Sequence, residues 1–188
     1  MNKLVILDRD GVINHDSDDY IKSPDEWLPI PGSLEAVARL NRAGYRVVVA
    51  SNQSGLARGL FDMDTLTRIH DKLHRALAAA GGAVDAIFFC PHGPADHCAC
   101  RKPQPGLLLD IAARLQTQLV DVPVVGDALR DVQAARAAGA RPILVRTGKG
   151  AWTEIQGEGL QDVSVYDDLA AAVDALLAKQ AGADGAGR

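Results

Sequence analysis

The run Leu4-Val5-Ile6-Leu7 leads directly into Asp8-Arg9-Asp10-Gly11. A short apolar run bounded by a polar turn reads as a strand buried on both faces, the signature of a parallel sheet covered by helices. Similar runs recur at Val47-Val48-Val49, Ala86–Cys90, Val122–Val125 and Pro142–Val145, with helical patterns between them. Strands alternating with helices predict βα units, a doubly wound Rossmann-like parallel sheet with helices on both faces. In such a sheet ligands bind beyond the carboxyl ends of the strands. The two carboxylates of Asp8 and Asp10 fall at such an end.

The helices predicted are 33–43, with Ser33 as N-cap, then 64–80, one opened by Pro105-Gly106, 131–138 and 168–179. A short strand is expected at 163–166. No insertion is long enough for a second domain, so residues 1–180 are expected to form one domain without a cap. The Gly/Ala-rich tail 181–188 is expected to be disordered. The loops 11–31 and 91–103 must then shape any pocket.

Bulk properties narrow the function. The net charge of −4 over 188 residues argues against general nucleic-acid binding, though not against an anionic small substrate in a locally cationic cleft. No apolar run approaches the roughly 18 residues of a membrane span, and no signal peptide precedes the first strand, so a cytoplasmic protein is expected. A monomer is expected.

Polar groups suited to phosphoryl transfer sit at four predicted strand ends. The first supplies Asp8 and Asp10; two close carboxylates call for a cation or a shared proton, and Mg²⁺ favours carboxylate oxygen. The second supplies the Ser51 hydroxyl. The loop after the third supplies Arg101-Lys102-Pro103. The fourth supplies Asp127, with Asp131 one helical turn later. Each signal alone is weak, since a lone D-x-D often just ends a strand in a polar turn. Their order at successive strand ends makes them specific.

D-R-D-G-V, S-N-Q, R-K-P and G-D-x-x-x-D together resemble the four motifs of haloacid dehalogenase-type phosphatases. The resemblance implies that Asp8 is the nucleophile and that Asp10 is an acid and base, with its pKa raised so that it stays protonated. It implies that Asp8, the Asp10 carbonyl and Asp127 bind catalytic Mg²⁺, while Ser51 and Lys102 steady the transferring phosphoryl group. Asp131 is expected near the metal or its waters. A binding module with a dead site would lack one of these groups, and a receiver-like phosphate store would not need Asp10 as an acid.

The three cysteines, Cys90, Cys98 and Cys100, lie within eleven residues, and His92 lies among them. An odd, clustered set reads as metal binding rather than as a disulfide framework. Three thiolates and one imidazole form a closed tetrahedral set for structural Zn²⁺; His97 is a less well-spaced rival to His92. A zinc loop without a cap resembles two branches of the superfamily, the heptose-bisphosphate and the histidinol-phosphate phosphatases. The S-N-Q-S-G-L-A-R-G stretch from Ser51, the K-P-Q-P-G from Lys102 and the R-T-G-K-G from Arg146 resemble the heptose branch. The short gap before Cys98 resembles the other, and Ala128 stands where the heptose branch often has lysine. The heptose resemblance implies a Mg²⁺-dependent phosphatase that removes the 7-phosphate of a heptose 1,7-bisphosphate during lipopolysaccharide core synthesis. Asn52, Gln53, Ser54 and Arg101 would contact this small phosphorylated sugar, with Arg101 on its second phosphate. Histidinol phosphate is the alternative substrate.

Overall fold

A computed structural model describes residues 3–185. The strands are β1 (Leu4–Leu7), β2 (Arg46–Asn52), β3 (Ala86–Cys90), β4 (Pro123–Gly126), β5 (Arg141–Val145) and β6 (Ser164–Tyr166). The helices are α1 (Ser33–Arg42), α2 (Met63–Ala79), α3 (Gly106–Arg114), α4 (Leu129–Ala137), α5 (Gly150–Gln156) and α6 (Leu169–Gly185). The six strands are parallel, in the order β3-β2-β1-β4-β5-β6. The chain winds outward from β1 in one direction and from β4 in the other. The crevice beyond β1 and β4 is therefore the topological switch point, where open α/β sheets bind ligands.

Side-chain alternation along the strands divides the core in two. Val5, Leu7, Val47, Val49 and Val125 face α1, α2 and α6 through Leu40, Leu73 and Val173. Leu4, Ile6, Val48, Ala50 and Val124 face α3 and α4 through Leu108, Ile111 and Ala135. With both faces covered, every position of β1 is buried, which explains its unbroken apolar run. Register holds the carboxylate-bearing edge in place. Ile6 and Leu7 pair with Val124 and Val125, and the Asp8 amide donates to the Val125 carbonyl at 2.8 Å.

Several local expectations differ from the structure. Ser33 is the first residue inside α1 rather than its cap; Gly32 caps it at φ 82°. The Ser33 hydroxyl instead donates to the Ile13 carbonyl at 2.6 Å and ties the long 11–31 loop to the helix. Helix α5 was not foreseen, because its start, Gly148-Lys149-Gly150, is poor in helix formers. Helix α6 continues to Gly185, into the tail expected to be disordered. Alanine is the strongest helix former and lets the helix run on. Residues 186–188 of that tail lie outside the described residues. No helix among the described residues is long and apolar enough to cross a membrane.

Candidate active site

Asp8 lies one residue past β1 and is buried, as are Lys102, Asp127 and Asp131. The Lys102 ammonium ends among three acceptors. It donates to the Ala50 carbonyl at 2.9 Å and pairs with Asp131 at 2.7 Å and Asp8 at 3.2 Å. A buried charge needs such partners to be tolerated. Burial works against the lysine's charge, but Asp131 and Asp8 overcome it and raise its pKa. The backbone of Lys102 is clamped by Asn52, whose amide donates to the Lys102 carbonyl at 3.0 Å and accepts from the Lys102 amide at 3.1 Å. Asn52, expected on the substrate, lines the cavity and also positions the lysine.

Asp10 departs from expectation. Burial pushes its pKa up, but Arg9, Asn14 and Gln53 hold it below the ordinary carboxylate range. Arg9 donates to both carboxylate oxygens, at 2.9 and 3.0 Å, and Asn14 and Gln53 add bonds of 2.8 and 3.0 Å. The expectation of a raised pKa missed Arg9, the fully buried residue between the two aspartates. Gln53 also donates to the Ser51 hydroxyl at 2.8 Å and so links the acid to the second strand end. His70 of α2 lies 3.4 Å from the Arg9 guanidinium, and burial with that neighbouring charge lowers its pKa to about 4.

Asp127 sits in a glycine cradle. Gly11 and Gly148 adopt φ values of 81° and 58°, and a Cβ at either would collide with the Asp127 carboxylate. The Lys149 amide donates to its Oδ2 at 2.8 Å, while its buried Oδ1 has no hydrogen-bond partner among the described residues. Oxygens of Asp8, Asp127 and Asp131 lie within 4.8 Å of one another. Burial, reinforced by Asp131 and Asp8, pushes Asp127 up to about 8. Burial likewise raises Asp8 to about 6, against the pull of Lys102. An orphaned buried oxygen among mutually repelling carboxylates fits a divalent cation with oxygen preference.

Above these groups lies a cavity of about 230 Å³. Asp8, Asp10, Ser51, Gln53, Ser54 and Arg101 reach it, so the expected site residues from three strand ends converge. Arg130 and Lys149 also line it and were not foreseen. Lysine 149 pairs with Asp18 at 3.1 Å and Asp16 at 3.6 Å, joining the 11–31 loop to the β5 side. A larger and more open groove lined by Leu56, Phe61 and Met63 lies apart from these carboxylates.

The cysteine loop behaves as its spacing implied. Ligand atoms of Cys90, His92, Cys98 and Cys100 lie within 4.8 Å of one another. The three sulfurs are 3.1, 3.6 and 3.6 Å apart. His92 Nδ1 lies 3.5 and 3.3 Å from Cys90 and Cys100. A tetrahedron of thiolates at about 2.3 Å from zinc has edges of about 3.8 Å, so the set fits a closed Zn²⁺ site. His97 is not in this cluster; it is exposed, with φ 48°.

A HAD-hydrolase-like family model matches residues 99–172. The D-glycero-beta-D-manno-heptose-1,7-bisphosphate 7-phosphatase of Bordetella bronchiseptica is 62% identical over 93% of this chain and 98% of its own length. The enzyme of the same name from Pseudomonas aeruginosa is 53% identical over 93% and 97%. A crystal structure of the B. bronchiseptica D,D-heptose 1,7-bisphosphate phosphatase, complexed with magnesium and phosphate, superposes with a TM-score of 0.93. It covers 94% of this chain and 99% of that one, at 61% identity. Relatives this similar along nearly their whole length, together with four motifs converging on one crevice, make the chain a phosphatase that belongs to the D-glycero-beta-D-manno-heptose-1,7-bisphosphate 7-phosphatase family of haloacid dehalogenase-like hydrolases.

Proposed function

We propose that this protein removes the 7-phosphate of a D-glycero-D-manno-heptose 1,7-bisphosphate through an aspartyl-phosphate on Asp8. The observation that carries this reading is the placement of Asp8. It lies 3.2 Å from the Lys102 ammonium at the base of a cavity that Arg101 and Arg130 also enter. The names of the relatives supply the sugar, and they do not favour histidinol phosphate. The cytoplasm, a monomeric state and a role in making lipopolysaccharide core heptose belong to the same proposal.

Asp8 Oδ1 is engaged by the Arg9 amide at 2.7 Å and by Lys102, which leaves Oδ2 to attack phosphorus. The Asp8–phosphorus bond forms as the bond to the C7 oxygen breaks. The leaving oxygen takes a proton from Asp10, and Asp10 then takes one from the water that hydrolyses the intermediate. Ser51 and Lys102 stabilise the oxygens of the transferring group, where most of the catalytic effect in phosphoryl transfer arises. Asp10 as it stands, anionic and gripped by Arg9, is set for the base role; its acid role requires loosening that pair. Asp8 and Asp127, with the Asp10 carbonyl, are the groups to hold Mg²⁺, which would supply positive charge against the phosphoryl oxygens. Cys90, His92, Cys98 and Cys100 would hold Zn²⁺ in a structural role.

The test is steady-state kinetics on heptose 1,7-bisphosphate beside histidinol phosphate. A kcat/KM at least about 100-fold higher for the sugar is expected, since discrimination by paired polar groups reaches that size. Equal or reversed preference sinks the assignment.

A further inference from the structure

Helix α2 places a histidine in its apolar stripe. Leu66, Leu73 and Leu77 are fully buried. Steps of four, three and four residues lead from Leu66 through His70 to Leu73 and Leu77, so His70 stands in the same row. An aliphatic side chain would pack there with no polar atom to satisfy. The imidazole instead lies against the Phe89 ring of β3, with centroids 6.1 Å apart and planes tilted by 56°. It also reaches the Arg9 guanidinium, its Nε2 lying 3.4 Å from Nη1.

A guanidinium only donates, so Nε2 must accept and the ring is neutral, with its proton on Nδ1. Burial and the Arg9 charge, which lower the His70 pKa to about 4, favour that same form. Arg9 is fully buried, so its N–H groups must find partners inside the protein. Nε and Nη2 form the fork that grips Asp10, at 2.9 and 3.0 Å. Nη1 is the third nitrogen of the same rigid plane. A partner on Nη1 therefore sets the plane in which the other two nitrogens meet the carboxylate. His70 itself does not reach the aspartate cavity, so any part it has in the chemistry passes through Arg9.

We propose that His70 is a positioning residue for the reaction: by accepting from Arg9 Nη1 it orients the guanidinium that sets Asp10 for proton transfer. This rests on the acid and base role given to Asp10 above. Asp10 has to give and take a proton in each turnover, so Arg9 must loosen its grip and resume it. An acceptor on another edge of the guanidinium keeps that buried cation partnered while the grip changes.

The test compares wild type, His70→Leu, His70→Gln and Asp10→Asn on two esters, with melting temperatures as a check on folding. The readout is kcat/KM, which reports the phosphoryl-transfer step. Heptose 1,7-bisphosphate has an alkoxide leaving group that needs a proton, whereas p-nitrophenyl phosphate releases a phenolate that does not. Asp10→Asn should lose far more on the sugar ester than on the aryl ester. His70→Leu, which fills the space without an acceptor, should repeat that bias on a smaller scale. A loss of about 10-fold on the sugar ester and under about 3-fold on the aryl ester is expected, the size of one charge-assisted bond felt indirectly. His70→Gln, which can bring Oε1 near the place of Nε2, should recover most of the loss. His70→Met replaces the leucine variant if that one folds poorly, and the glutamine recovery decides alone if the aryl ester is a poor substrate. Equal losses on both esters, or a glutamine variant no better than leucine, would make His70 a packing residue and overturn the proposal. If Asp10→Asn shows no bias, the acid role of Asp10 falls and takes this proposal with it. If the sugar is the wrong substrate, histidinol phosphate serves as the alkyl ester, and the comparison stands.

Discussion

The aspartate cavity and the cysteine loop are neighbours, since Cys100 is followed directly by Arg101 and Lys102. They are nevertheless held by different physics. The cavity groups stand at the ends of parallel strands, where register positions the backbone and burial excludes competing water. Lys102, Asp10, Asn52 and Gln53 are tied to protein partners before any ligand arrives. In the loop, His92 is exposed and Cys98 and Cys100 are only partly buried, and these side chains have little to hold them but one another. Thiols are weak hydrogen-bond donors and acceptors. The lesson is that one region is organised by the fold, while the other gathers four side chains that could hold a metal ion, although the second carries the backbone of the first.

Asp8→Asn is the sharpest way to break the cavity. The amide is a poor nucleophile, while the hydrogen bond from the Arg9 amide can survive, so the fold should persist. A kcat loss of roughly 10⁴-fold or more is expected, and retention of a tenth of wild-type turnover would refute the covalent route.

Breaking the loop should cost less chemistry and more local order. Purified protein should carry about one zinc per chain, because a closed four-ligand site binds tightly. Stripping it should raise hydrogen exchange across residues 91–104 and leave the strands protected. Elemental analysis finding no zinc, with all three thiols freely reactive, would overturn this.

Asn52→Ala joins the two regions. It removes both side-chain bonds to the Lys102 backbone without touching the ammonium. At roughly 1 kcal/mol per bond, a kcat loss on the order of 10- to 30-fold is expected. A loss confined to KM would instead return Asn52 to the substrate.

The smallest effect is on stability. The folded protein holds protons on Asp8 up to about 6 and on Asp127 up to about 8, whereas their ordinary value is 3.8. Between about pH 4 and 8 the native state therefore binds more protons than the unfolded chain. Stability without metal then falls as pH rises through that window. A divalent cation relieves the repulsion and displaces protons, so Mg²⁺ should raise Tm more at pH 8 than at pH 6. The difference should be on the order of 3 °C for a chain of this size. An equal Mg²⁺ shift at both pH values would mean that these carboxylates are not the metal's ligands.

The sequence by itself determined the sheet and the site's place on it. Short apolar runs of period-free Val, Ile and Leu, alternating with helical patterns, point to a covered parallel sheet, and polar residues at their ends mark the ligand edge. Cysteine spacing is equally local, so the Cys90, His92, Cys98 and Cys100 cluster was legible before the fold. What only the tertiary structure decided is which side chain uses which partner. Asn52 meets Lys102 across 50 residues, and Gln53 meets Asp10 across 43. Arg9 took the carboxylate that was expected to stay protonated, and Arg130, which no sequence pattern singled out, reaches the cavity from the first turn of α4. Periodicity says which face a residue occupies, but a hydrogen bond or a pKa depends on distances between distant segments. Those distances exist only once the six strands are in order.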